Sequence, residues 1–178
     1  RVLVCGDPTA NKGSWLVRLL GYGVLRNPTG NVLTRRVWLR DTLYYVEFKL
    51  AGGFSEAEAD RDIAWANAFV LLWDVESRES YDAVPQLHQD ITHQKDKLSL
   101  PMVIVMGNST DAPEGSWNVA RAEAASLSEM LNVPLRDGTT TAAVVDSLNV
   151  LLEEFANFKP QAHNRGGPST LSSVKRCS

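Results

Sequence analysis

The chain opens Arg1-Val2-Leu3-Val4-Cys5-Gly6-Asp7-Pro8-Thr9-Ala10-Asn11-Lys12-Gly13-Ser14. An apolar strand runs into a turn, a lysine follows, and Trp15, Leu16, Leu19 and Leu20 continue at helical spacing. Strand, tight turn, lysine and helix N-terminus are the parts that hold phosphate groups, and the intact pattern is G-x-x-x-x-G-K-[ST]. Here Asn11 stands at the second glycine and Gly13 at the hydroxyl residue that holds magnesium. Lys12 is kept. Asn11 is the mildest exchange for a glycine that needs an unusual backbone angle. Pro8 removes one N–H donor, and Asp7 brings a carboxylate to where phosphates would sit. The competing reading is a plain strand-to-helix turn.

Outward from this stretch, strands and helices alternate. Asn31 to Arg40 alternates apolar and basic residues and reads as a half-exposed strand. Asp41-Thr42 reads as a hairpin turn into Leu43 to Leu50. Ser55 to Ala66 reads as an acidic helix with a Ser55/Glu58 capping box. Ala68 to Val75 and Pro101 to Met106 read as buried parallel strands. Between them Ser77 caps a helix that Pro85 kinks or restarts. Trp117 to Leu131 is expected to be helical, Val133 to Leu135 a last short strand, and Thr141 to Phe158 a closing helix. From Lys159 onward Pro, Gly, Ser and Asn dominate, so residues 159–178 are expected to form a flexible tail. The predicted fold is therefore α/β, a mostly parallel six-stranded sheet with one antiparallel edge strand and helices on both faces. Ligands of such sheets bind beyond the carboxyl ends of the strands, where the strand order reverses.

The bulk numbers fit one soluble domain. The 178 residues are 44% hydrophobic and 22% charged, enough for a core without disulfides. A net charge of -3 gives no electrostatic case for nucleic acid or an anionic membrane. No apolar run is long enough for direct membrane insertion. Two cysteines suit a reduced, cytoplasmic setting. Cys5 reads as a small buried hydrophobe. Cys177 is second from the end, where a prenylation box needs its cysteine fourth from the end. The start at Arg1, directly on a strand, is expected of a piece of something longer.

Five segments in order give a resemblance: Gly6 to Ser14; Asn27-Pro28-Thr29; Lys49-Leu50-Ala51-Gly52-Gly53; Asp74 to Tyr81; and Gly107-Asn108-Ser109-Thr110-Asp111. Over residues 1–158 the chain is similar to the Ras superfamily of small GTPases, which implies a P-loop NTPase-like small G domain. Asp137-Gly138-Thr139-Thr140 stands where that family reads S-A-K. The resemblance implies that any nucleotide would be met by Gly6, Lys12, Ser14, Thr29, Gly52, Asn108 and Asp111. The last two match the asparagine and aspartate that read guanine, although Asn, Ser, Thr and Asp also make ordinary polar turns.

The departures from that family are chemical. It supports magnesium from the D-x-x-G aspartate, where this chain has Lys49, and from the hydroxyl now replaced by Gly13. Ser14 lies one step along the helix, rotated by roughly 100 degrees, and should point elsewhere. Thr29 alone cannot build an octahedral site. Lys49 either pairs with Asp7 or a phosphate, or is a solvated strand-end lysine. Gly53 replaces the glutamine that positions water. The expectation is a pseudoGTPase, similar to those embedded in Rho GTPase-activating proteins or to the RGK group. It has no catalytic or metal residues and no cofactor, and any GTP or GDP is held without magnesium. Its implied role is protein interaction in signalling, with intramolecular domains of a larger protein among the partners. Arg35, Arg36, Trp38 and Arg40 are the expected anchors, though basic residues on an edge strand also discourage unwanted pairing. The alternative is a guanine-nucleotide-binding GTPase with low or no turnover. Glu56, Glu58, Asp60 and Asp62 read as a solvated helix face. Most tryptophans read as core or interface anchors, and His88, His93 and His163 are not spaced as metal ligands.

Overall fold

The computed structural model describes residues 1–21, 25–26, 32–52, 56–95, 100–107 and 111–157. Ser55, Gly53, Thr29, Asn108, His163 and the tail at 159–178 lie outside them.

The strands are β1 (Val2–Cys5), β2 (Leu25–Arg26), β3 (Val32–Leu39), β4 (Thr42–Leu50), β5 (Ala68–Asp74), β6 (Met102–Gly107) and β7 (Leu135–Gly138). They form one sheet in the order β2-β3-β4-β1-β5-β6-β7. The mostly parallel sheet is as the sequence predicts, and two-residue β2 adds a seventh strand at the edge, antiparallel to β3. β3 and β4 are antiparallel, while β4, β1, β5, β6 and β7 pair in parallel. The hairpin turn falls on Arg40-Asp41, one residue earlier than expected. Both have positive φ (45° and 60°), which matches the twist of a two-residue hairpin.

The helices are α1 (Lys12–Leu20), α2 (Glu56–Trp65), α3 (Arg78–Asp82), α4 (Val84–Lys95), α5 (Arg121–Leu131) and α6 (Thr141–Asn157). Alternation along β1 divides the core in two. Val2 and Val4 join Trp15, Leu16, Leu19, Val144, Leu148 and Leu151 under α1 and α6. Leu3 and Cys5 join Ile63, Val84, Ile91, Ala124 and Leu127 under α2, α4 and α5. Burial pushes the Cys5 thiol up to about 12, so it stays an inert hydrophobe.

The local signals operate as their chemistry dictates. Ser77 Oγ accepts from Ser80 N (3.1 Å) and caps α3. Pro85 then follows at the second residue of α4, where its missing N–H costs nothing. Two boundaries move. α5 begins at Arg121 because Trp117 and Asn118 are held outside it: Trp117 Nε1 donates to Ala112 O (3.0 Å), and Asn118 N donates to Val75 O (2.9 Å). The last strand is Leu135–Gly138, registered on β6 from Ile104↔Leu135 to Gly107↔Gly138. No described helix is long and apolar enough to cross a membrane.

β1 lies between β4 and β5, so the strand order reverses directly after it. The loop from Gly6 to Asn11 therefore sits at the switch point, with the ends of β5, β6 and β7 beside it.

Candidate functional site: the loop at the switch point

Gly6 leaves β1 pressed against β5. A Cβ added there would stand 2.5 Å from Leu72 O and 3.0 Å from Ala10 Cβ. Beyond it the loop closes on itself. Asp7 Oδ1 accepts from Thr9 N and from Thr9 Oγ1, both at 2.8 Å, and Asp7 O accepts from Ala10 N at 3.0 Å. Pro8–Ala10 is thereby a single 3-10 turn. Thr9 Oγ1 also shares a hydrogen bond with Ser77 Oγ at 2.7 Å, which ties the turn to α3. Two amides that an open phosphate loop would turn toward a ligand are thus engaged by Asp7.

Asn11 has φ 51 and ψ 46, the left-handed conformation that the intact pattern fills with glycine. Lys12 bends back over the turn, donating from Nζ to Gly6 O (2.6 Å) and Asp7 O (3.2 Å). Burial lowers the Lys12 pKa from its usual value, with Asp7 acting in the opposite direction. Ser14 Oγ donates to Asn11 Oδ1 (2.9 Å), so its hydroxyl serves its own loop, as its rotation along the helix predicts. A Cβ on Gly13 would meet nothing within 4 Å; space for a side chain exists there, but Gly13 offers no oxygen.

At the end of β4, Lys49 does not pair with Asp7 and is not solvated. Its Nζ forms an ion pair with Asp62 of α2. The Asp62 side chain is only 8% exposed and that of Lys49 28%. Asp62 is therefore no part of a solvated acidic face. The side of α2 toward the sheet carries Ile63, with buried Ala66 just past its end, and Asp62 is buried beside them because it meets a cation on β4. Gly52 lies two residues past β4, where an added Cβ would make ordinary contact with Leu50 O at 3.8 Å.

At the other side of the loop, Asp111 has a partner that the sequence reading did not single out. Arg18, in the last turn of α1, donates from Nη2 to Asp111 Oδ1 (2.9 Å) and from Nη1 to Thr139 O (2.8 Å). Thr139 is fixed in turn, because its N–H and hydroxyl donate to Asp137 Oδ1 at 2.8 and 2.7 Å. Burial acts against ionisation of Asp137, yet these bonds and Arg121 hold its carboxyl below the usual range. Between the loop and the strand ends, a cavity of about 10 Å³ is lined by Asn11, Ser14, Arg18, Asp74, Gly107 and Gly138. That is no more than one water's worth of space. A larger cavity, about 500 Å³, opens at the opposite end of the sheet between α4 and α5, away from all of these groups.

The structure thus brings Gly6, Lys12 and Ser14 together around the turn and places Asp111 against Arg18. The profile of the Ras family matches residues 56–156, from the start of α2 almost to the end of α6. The chain belongs to the Ras family. It is 24% identical to the Ras-like protein rasC of Dictyostelium discoideum over 92% of this chain and 90% of that protein. It is 27% identical to the Ras-like protein family member 11B of Danio rerio, over 65% of this chain and 54% of that protein. It is 37% identical to the circularly permutated Ras protein 1 of Dictyostelium discoideum over 46% of this chain, which is 10% of that protein.

Within this Ras-family domain the expected anchor set is redistributed. Arg35 turns under the sheet, where its Nη1 donates to Leu19 O, and Arg40 pairs with Glu153 of α6 at 3.5 Å. Arg36 and Trp38 point to the other face, opposite Tyr45 and Leu43 of β4. Trp38 is 70% exposed and Tyr45 68%.

Proposed function

We propose that this Ras-family domain is a pseudoGTPase module that works by protein contact and carries out no magnesium-dependent GTP hydrolysis. The observation that carries the reading is the Lys49–Asp62 ion pair. An ammonium, already neutralised by a buried carboxylate, stands where a divalent cation would need support from an oxygen. Gly13 removes a second oxygen donor, and the turn at Asp7 to Ala10 has engaged its own amides. The residues present do not fit the metal.

The contact surface of this reading is the outer face of the β3–β4 hairpin. Arg36, Trp38 and Tyr45 give it two exposed aromatic rings beside a cation, a composition enriched at interface hot spots. It suits a protein segment that offers an apolar side chain next to a carboxylate. A second reading, a domain that holds guanine nucleotide without turning it over, is favoured by Lys12 in place over the loop and by Asp111 at the end of the sheet.

The two readings separate on the nucleotide content of the purified protein, heat-denatured and resolved by ion-exchange chromatography. The module reading expects less than about one nucleotide in ten protein molecules, as for any site with Kd far above trace ligand. Stoichiometric GTP or GDP would overturn it in favour of the second.

A further inference from the structure

We infer that Arg18 is an internal occupant of the base-recognition site, a latch that decides whether this cleft admits a guanine nucleotide. Asp111 presents a carboxylate four residues past the end of β6, against Arg18 of α1. A carboxylate accepts hydrogen bonds and donates none. Among purines, guanine is the one whose pairing edge shows two adjacent N–H donors, at N1 and the 2-amino group; adenine shows an acceptor at N1. A guanidinium shows the same planar fork of N–H donors. Arg18 donates from Nη2 to Asp111 Oδ1 at 2.9 Å while its Nη1 goes to Thr139 O, so the protein supplies from its own helix one of the two donors that the base would bring.

The latch has two anchors of unequal strength. Arg18 is mostly buried, its side chain 21% exposed, and its Nη1 is held by Thr139 O at 2.8 Å, in a loop that Asp137 fixes. The Asp111 side chain is 80% exposed. The bond to Asp111 is thus solvent-screened and breakable, whereas the bond to Thr139 keeps the guanidinium in place when Asp111 lets go. Because Arg18 is tethered, it competes at an effective concentration in the millimolar range, well above any free nucleoside edge of low affinity. The cavity lined by Arg18, Asn11, Ser14 and Gly138 has room for about 10 Å³, no more than one water.

The inference rests on the reading that the cleft works without magnesium, and the two fail separately. The test is calorimetric titration in EDTA with GDP and with ADP. It compares the whole chain with Arg18→Gln, Arg18→Ala and the double variant Arg18→Gln/Asp111→Asn. GDP should bind at least about tenfold more tightly to both single variants than to the unaltered chain. ADP should show no gain, and the GDP gain should vanish in the double variant. Unchanged GDP affinity in a variant that keeps its circular dichroism and melting would overturn the latch, as would a gain shared with ADP. Loss of fold in both single variants would also overturn it, since Arg18 would then be a structural tie. Magnesium-dependent turnover by the unaltered chain would sink the pseudoGTPase reading and leave the GDP comparison as the judge of Arg18.

Discussion

Lys49→Ala should lower the unfolding free energy by about 3 kcal/mol, while the double change Lys49→Met/Asp62→Leu should lower it by less than about 1 kcal/mol. Removing the lysine leaves the Asp62 carboxylate, 8% exposed, among Ile63, Ala66 and the sheet with its cation gone. Breaking a buried pair from one side costs roughly 3–5 kcal/mol; the lower end applies because Lys49 is 28% exposed and water can enter the space it leaves. Removing the carboxylate is milder, since the long lysine stem lets the ammonium swing out to solvent. Asp62→Ala should therefore cost roughly 1 kcal/mol. Lys49→Asp, which puts a carboxylate at the D-x-x-G position, would face Asp62 with a like charge and should cost at least as much as Lys49→Ala. Urea titrations with unchanged m-values give all four numbers. Equal costs for Lys49→Ala and Asp62→Ala would mean that the carboxylate is not the stranded partner.

Gly6→Ala should cost about 3 kcal/mol and displace the loop, the upper end for overpacking. The added Cβ meets Leu72 O at 2.5 Å, and that oxygen belongs to the backbone of β5, which is locked to β1 through Cys5↔Leu71 and to β6 through Leu72↔Val105. A side-chain tip could move aside, but a strand held on both sides cannot. Gly13→Ala is the control seven residues on. Its Cβ would meet nothing within 4 Å, and relief of a helical glycine should stabilise by roughly 0.5 kcal/mol. Thermal unfolding of the two variants side by side checks the contrast. A neutral Gly6→Ala would mean that β1 and β5 are not as close as described.

What the sequence made legible was local chemistry. Ser77 as a cap, Pro85 as a restart and Asn11 in a left-handed turn each follow from what a hydroxyl, a pyrrolidine ring or a short amide does to its own backbone. The apolar run of β1, the alternation in β3 and the strand–helix order made the sheet legible. What stayed hidden was long-range pairing. Asp62 reads as one acidic residue among several on α2; only the cation across the sheet makes it a buried one. The reversed charge at Lys49 was visible, and it called for a partner that spacing could not name. No motif marks Arg18 in the last turn of α1, and its two acceptors lie 93 and 121 residues away. The last strand was expected at Val133 to Leu135 and lies at Leu135–Gly138, because Arg136 and Asp137 carry no β signal of their own and pairing with β6 sets its bounds. Within the site, the loop lysine and Asp111 were found from motif spacing, whereas the groups that now engage the neighbouring amides and the carboxylate, Asp7 and Arg18, were found in part or not at all.

The measurement that bears most directly on the account is single-turnover phosphate release from GTP, with excess protein, in magnesium and in EDTA. The account predicts that both traces follow protein-free buffer, and that Lys12→Ala changes neither. Release that requires magnesium and disappears in Lys12→Ala would contradict it, because oxygen ligands would then be gathering a divalent ion beside a lysine that the structure pairs with Asp62.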